Sequence, residues 1–448
     1  MEHICNSCWH TIRYFSTREK IILDFELSAR SEQWRQRLQA FFDQEVLPRH
    51  RDWLDHVATN RETAPFMGEL QRKARAAGLW NLGLPELAAD EPGTRLSNLD
   101  YAPVAEIMGR LFWAPEVFNC QAPDVPNMIA LQNCATPAQK ARWLRPLLEA
   151  ETRSAFGMTE PDVASSDATN IATTMVRDGD DYVVNGRKWF ITGAAHPGCS
   201  FLIVMGVTDP QADRTRRHSC VIVPMDTPGV RLVRRLRWMG CEDHVAPIGE
   251  LTFNDVRISR ANLLGEEGEG FKVAQIRLGP ARIHHCMRSI GLCELLIELM
   301  MARSAERAAF GRSINQYDTV QRWIAISRVE LEQARLLAYR CAWRLDQAGH
   351  HGAWRDVSLI KVAVPAMLQG IADRAMQVFG AMGGSDDTPI HQALAWGRLL
   401  RVGDGPDEVH LRQIFRMEAM PPWSIDTSPY LAAGSSHDRN LISAVREG

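Results

Sequence analysis

Between residues 154 and 264 this 448-residue chain abandons the three- and four-residue hydrophobic spacing that precedes and follows it. Before that stretch, Trp34, Leu38, Phe41, Phe42 and Val46 form a helical stripe ending at Pro48. Phe66, Leu70, Ala74 and Ala77 form a second that stops at Gly78, and Ile107, Met108, Leu111 and Phe112 a third. Within the stretch, short β-branched and aromatic segments alternate with turn signals at Asp178-Gly179-Asp180, Asn185-Gly186, Pro197-Gly198 and Pro228-Gly229. Tyr182-Val183-Val184, an Asn-Gly turn and then residues 188–191 predict a hairpin, with further strands at 201–207, 220–224 and 251–253. After Gly270 four long helical runs, 283–301, 320–345, 357–382 and 393–400, predict a bundle closed by Pro421 and Pro422. The expected class is α+β: an extension over 1–23, a helical domain over 24–152, a β domain over 153–265, a four-helix bundle over 266–420 and a tail over 421–448.

Composition narrows the function. Lys plus Arg number 51 against 54 Asp plus Glu, so no basic field exists to draw nucleic acid or anionic lipid. The longest apolar run, 201–207, is far short of the ~20 residues that span a bilayer. The ten cysteines are scattered apart from Cys5 and Cys8, which with His10 make at most half of a zinc site, so no disulfide framework and no metal are expected. Arg13, Arg18 and neighbouring Ser and Thr leave a mitochondrial leader open, with the cytoplasm as the default. A dinucleotide fingerprint is missing, because Gly265-Glu-Glu-Gly268-Glu-Gly270 has the wrong order and puts carboxylates where a pyrophosphate needs amides.

Five motifs carry a resemblance. Phe118-Asn-Cys-Gln-Ala-Pro-Asp124, Met158-Thr-Glu-Pro-Asp-Val-Ala-Ser-Ser-Asp167, Asn185-Gly-Arg-Lys-Trp-Phe-Ile-Thr192, Arg307-Ala-Ala-Phe-Gly311 and Gly403-Asp-Gly-Pro-Asp-Glu-Val-His410 occur in order over residues 25–420. Together they resemble the acyl-CoA dehydrogenase family, in the branch typified by family member eleven and its bacterial relatives. The resemblance implies FAD as cofactor, an acyl-CoA substrate, an electron-transfer flavoprotein as acceptor, and a homodimer or homotetramer.

It also implies roles for residues. Thr159 and Thr192 would place hydroxyls against the isoalloxazine ring, Phe190 would cover its face, and Met158 and Ser165 would join them. Arg307, Phe310, Gln377 and Gly380 would reach the FAD of a neighbouring subunit, with Gly405 and Glu408 also near the cofactor. Arg282 and Ser166 would lie near the acyl-CoA. Asp404 would be the base that removes the α-proton, where most members of the family have Glu, while the β-hydrogen leaves as hydride to the flavin. Ala281, at an alternative base position, cannot take a proton. His284 and His285 point ~100° apart on a helix and are expected in the core or an interface. Two rivals stand: a flavin oxidase of the nitroalkane oxidase kind, and an acyl-CoA-binding scaffold without flavin.

Overall fold

The Ser28 hydroxyl accepts from the N–H of Ser31 and starts the first helix, α1, Ala29–Phe41. This computed structural model describes residues 26–60 and 63–419, so the readings on Cys5, Cys8 and His10 and on 1–23 and 421–448 lie outside the described residues. Pro48 does not end the first helical stripe as expected. The chain passes through a π-turn at Phe42–Val46 and a 3₁₀ turn at Leu47–Arg49, then continues as α2, His50–Val57. The wider and tighter turns reset the backbone pairing where proline has no N–H to offer.

Helices α3, Met67–Ala76, α4, Asn98–Gly109, α5, Ala114–Val117, α6, Asp124–Cys134, α7, Pro137–Gln139, and α8, Arg145–Leu148, complete the N-terminal part. Apart from its partly buried first two residues and Glu106, α4 is buried, because it threads between its neighbours and α9, Gly270–Glu306. The crossing of α4 and α9 depends on two glycines. A Cβ on Gly109 would lie 2.0 Å from the Arg288 carbonyl oxygen, and one on Gly291 would lie 1.7 Å from that of Glu106. Backbone therefore rests on backbone.

The β domain is an eight-stranded sheet ordered β6-β7-β3-β2-β4-β5-β8, with β1 parallel to β4. The strands are β1, Arg153–Gly157, β2, Thr174–Asp178, β3, Asp181–Ile191, β4, Cys199–Val207, β5, His218–Pro224, β6, Val230–Leu236, β7, Ile248–Ser259, and β8, Leu263–Leu264. The expected hairpin turn at Asn185-Gly186 is absent, and β3 runs straight through it. The hairpin is one turn earlier, at Gly179-Asp180, joining β2 to β3. Asn185 instead sits at a bulge where the register with β7 shifts, its side chain pairing with Asp255 across the strands. Gly186 serves close approach rather than turning, since a Cβ there would meet the Thr173 hydroxyl at 2.4 Å.

The C-terminal bundle follows. α9 carries Pro280 within it, and a two-stranded ribbon of β9, Ala308–Ala309, and β10, Arg312–Ser313, leads to α10, Asp318–Phe379. Gly349, at φ +62°, breaks α10 into two arms, so α9, the two arms and α11, Ile390–Leu400, make four helices. A further helix, α12, Asp407–Glu418, lies beyond the Gly-Asp-Gly-Pro break. The expected order of helical unit, β domain and bundle is the observed one. One apolar cluster joins the N-terminal helices to the bundle, a second joins α6 to one face of the sheet, and a third fills the other face. Among the described residues no helix is long and apolar enough to cross a membrane.

Candidate active site

Where the three parts meet lies a cavity of about 1670 Å³. The loop after β1 lines it with Met158, Thr159, Ser165 and Ser166, the end of β3 with Phe190 and Thr192, α9 with Arg277, Ala281, Arg282, His285 and Arg288, and the α11–α12 loop with Asp404 and Gly405. Trp238 closes one wall and donates its indole N–H to the Ala395 carbonyl of α11 at 2.8 Å.

The loop after β1 is held from below by a buried ion pair. The Lys188 ammonium, fully buried on β3, donates to the Glu160 carboxylate at 2.8 Å and to the carbonyls of Met158 and Met205 at 3.0 and 2.7 Å. Glu160 also accepts from the N–H groups of Ala172 and Thr173. Burial pushes the Lys188 amine down to about 8, against the opposing pull of Glu160. The Trp189 N–H donates to the Thr159 carbonyl at 3.0 Å, and the Ser165 hydroxyl accepts from the Glu160 N–H at 2.9 Å. These bonds fix the loop backbone and leave the Thr159 and Thr192 hydroxyls with no protein partner among the described residues. Phe190 is 37% exposed and sits at φ +50°, a left-handed backbone rare for an aromatic residue.

Asp404 also has a left-handed backbone, φ +53°. Three groups hold it there. The Arg282 Nε donates to the Asp404 carbonyl at 2.8 Å, and the His410 ring approaches the same oxygen at 3.5 Å. Lys361, wholly buried on the second arm of α10, donates to the carbonyls of Leu400, Gly403 and Gly405, capping α11 and pinning the loop on both sides of Asp404. Among the described residues the carboxylate has one polar contact, with Oδ2 at 3.5 Å from Nε2 of His285. Burial raises its pKa, but His285 and the cations Arg277, Lys361 and Arg282 outweigh that, so the net shift is downward.

Five carboxylates line the cavity, and four are committed. Glu160 is paired with Lys188, Asp167 with Arg214, and Glu242 with Arg235, while Asp243 accepts from the N–H groups of Val245 and Ala246. Among the described residues, the Asp404 carboxylate is the one of the five that is engaged by neither a Lys or Arg nor a backbone N–H.

Sequence-level site residues thus fall into two groups. Arg307, Phe310, Gln377, Gly380 and Glu408 do not line the cavity. They are exposed, Phe310 almost entirely at 98%, and Phe310 too is left-handed at φ +51°.

Family models for the N-terminal, middle and C-terminal domains of acyl-CoA dehydrogenase match residues 28–151, 155–256 and 268–418. FadE2 of Mycobacterium tuberculosis is 48% identical over 401 residues, covering 88% of this chain and 97% of that protein. The chain belongs to the acyl-CoA dehydrogenase family. Acyl-CoA dehydrogenase family member 11 of Gallus gallus is 46% identical over 86% of this chain, and this chain spans half of that protein's length. A solved structure from Mycobacterium abscessus is 46% identical with a TM-score of 0.84, covering 88% of this chain and 99% of that one. The acyl-CoA dehydrogenase of Geobacillus kaustophilus, 26% identical, superposes with a TM-score of 0.75 over 88% of this chain and all of that one.

Members of the acyl-CoA dehydrogenase family are flavoprotein oxidoreductases, and in this member two groups around Asp404, Lys361 and Arg288, escaped the sequence reading, while a third, His285, was read only as a core or interface residue. Lys361 lies within the predicted bundle helix over 357–382, 43 positions before Asp404, with no local motif to mark it. Arg288 and His285 follow Arg282 on α9, at spacings that put them on the cavity side. His284, expected in the core, is there: it is buried with its ring centroid 4.8 Å from that of Tyr101. His285, given the same expectation, is buried as well but borders the cavity. Asp124, from the first motif, is buried and structural. It accepts from the Ser154 N–H and from the Arg153 Nε, and so joins α6 to β1.

Proposed function

We propose that the protein is an FAD-dependent acyl-CoA dehydrogenase that converts an acyl-CoA thioester to the trans-2-enoyl-CoA, with Asp404 as base and an electron-transfer flavoprotein as acceptor. The observation that carries this reading is the carboxylate inventory of the cavity: among the described residues only the Asp404 carboxylate is engaged by neither a Lys or Arg nor a backbone N–H. Its lowered pKa keeps it ionised at pH 7, ready to take the α-proton onto Oδ1 or Oδ2. The thioester oxygen needs a donor as charge develops, and the Asp404 backbone N–H, which has no acceptor among the described residues, is available.

The residues present fit FAD. A cavity of about 1670 Å³ exceeds the ~300–1,000 Å³ of a single-ligand site, so it has room for a cofactor ring and an acyl thioester together. Thr159 and Thr192 offer two unengaged hydroxyls, and Phe190 offers a partly exposed ring. Met158, Ser165 and Gly405 complete that side, with Ser166 and Arg282 toward the substrate. FAD, when bound, supplies the acceptor for the hydride that leaves the substrate β-carbon. The exposed set of Arg307, Phe310, Gln377, Gly380 and Glu408 supports a cofactor site completed by a second subunit, because an aromatic ring 98% exposed beside an arginine offers a ready contact for a partner.

The test is turnover of purified protein with a dye acceptor across acyl-CoA thioesters of graded length, branching and hydroxylation. Reduction of the dye with at least one thioester supports the reading. Rapid peroxide formation from a nitroalkane would favour an oxidase, and a colourless protein that takes up no FAD would favour a scaffold.

A further inference from the structure

His285 does not fit the role of a core histidine. It is buried on α9, its ring centroid is 5.5 Å from that of Trp396, and its two nitrogens face opposite partners. On one side Nη2 of Arg288 lies 3.1 Å from Nδ1. A guanidinium can only donate, so Nδ1 of the neutral ring must accept. The ring proton is then on Nε2, which lies 3.5 Å from Oδ2 of Asp404. Arg288 is itself anchored, since its Nε donates to the His284 carbonyl at 3.3 Å and its backbone packs against Gly109.

The geometry points to His285 as a positioning residue for Asp404: its Nε2–H, fixed in that tautomer by Arg288, donates to the carboxylate, orients it and limits its basicity. This rests on the reading of Asp404 as the base. Burial first, and Arg288 next, hold the His285 ring down to about 3, so at neutral pH it acts as an oriented donor and not as a cation. The other groups facing this pair are Arg277 and Arg282 on α9, Lys361 on α10 and His410 on α12. Burial lowers the pKa of both arginines and of Lys361, with Asp404 pulling the other way, and burial keeps His410 at about 3. A separation of 3.5 Å is long for a hydrogen bond, and catalytic hydrogen bonds that are long in a ligand-free site commonly tighten in the complex with substrate.

A pair of amide substitutions separates this role from packing. Gln at position 285 can place an N–H where Nε2 was, whereas Asn can reach only the Nδ1 side, toward Arg288. Both cost similar burial of a polar group. His285→Gln, His285→Asn and Asp404→Asn are compared by acyl-CoA affinity, by the rate of anaerobic flavin reduction, and by the pH profile of that rate. Hydrogen bonding to the charged form depresses a carboxylate pKa, and activity is lost as pH falls through it, so removing the donor moves the acid limb upward. Expected is a 10- to 100-fold slower reduction in His285→Asn with affinity unchanged within about twofold. Its acid limb should move to higher pH, and His285→Gln should restore most of the rate and the original limb. If Asp404→Asn is inactive while the Gln and Asn variants match each other in rate and acid limb, the positioning role is overturned. If Asp404→Asn is itself active, the base assignment fails and the role of His285 fails with it.

Discussion

A carboxylate at φ +53° is a strained arrangement, and the residues that maintain it should be as sensitive as the carboxylate itself. Lys361 is the clearest case. Its ammonium serves three carbonyls around the loop, so Lys361→Met would leave them buried without a donor, at a cost of about 2–4 kcal/mol. We expect a lower melting temperature together with slower substrate-driven flavin reduction; a variant as stable and as fast as the parent would show that the loop does not depend on this cap. The role of Asp404 as base came only from the family resemblance, while the break that carries it was legible in the sequence because two glycines and a proline mark it. Lys361 was not, because a lone lysine inside an amphipathic run looks like any solvated one until the fold closes over it. The histidine pair was visible, but which of the two would meet Asp404 depends on the rotation of α9, and that rotation is set by tertiary contact.

That rotation is an element-scale property, fixed where α9 meets α4 at Gly109 and Gly291. Gly291→Ala would drive a methyl group into the Glu106 carbonyl, where a Cβ would lie 1.7 Å away, and should destabilise by about 1–3 kcal/mol in thermal or denaturant melts. A polar staple acts on the same helices. Glu294 on α9 accepts from Arg328 at 2.5 Å and Arg335 at 2.8 Å on α10, and Arg335 in turn donates to Glu106 on α4. The bond from Arg328 chiefly, against burial and with help from Arg335, lowers the Glu294 carboxyl to about 2 from 4.5. A depressed acid contributes stability above its unfolded pKa and loses it as pH falls through the folded one. Glu294→Gln should therefore cost about 2 kcal/mol at pH 7, with the gap to the parent closing between pH 4.5 and 2. A gap independent of pH in urea titrations would refute this. The sequence revealed the helices through their period, but the Asn185-Gly186 signal misled. Its side chain satisfies a bulge with Asp255, which single-strand propensity cannot foresee.

For the whole molecule, the division of site residues into a cavity set and an exposed set is the basis of the proposed assembly. Arg307→Ala should lower flavin retention measured by absorbance after gel filtration, and holoprotein should elute as an oligomer; full flavin occupancy in a stable monomer would contradict the shared site. Air alone should sustain much slower turnover than a dye or an electron-transfer flavoprotein. The order of helical unit, sheet and bundle was readable from hydrophobic period alone, whereas the cavity was not, because its walls come from segments as far apart in the chain as Trp53 and Met417. The central claim, that Asp404 takes the α-proton, is tested most directly by anaerobic mixing of flavin-loaded Asp404→Asn with acyl-CoA. Asn keeps the side chain's size and removes the proton acceptor, so the thioester should bind with near-parental affinity while flavin bleaching falls by at least ~10³-fold. Bleaching at the parental rate would contradict the account.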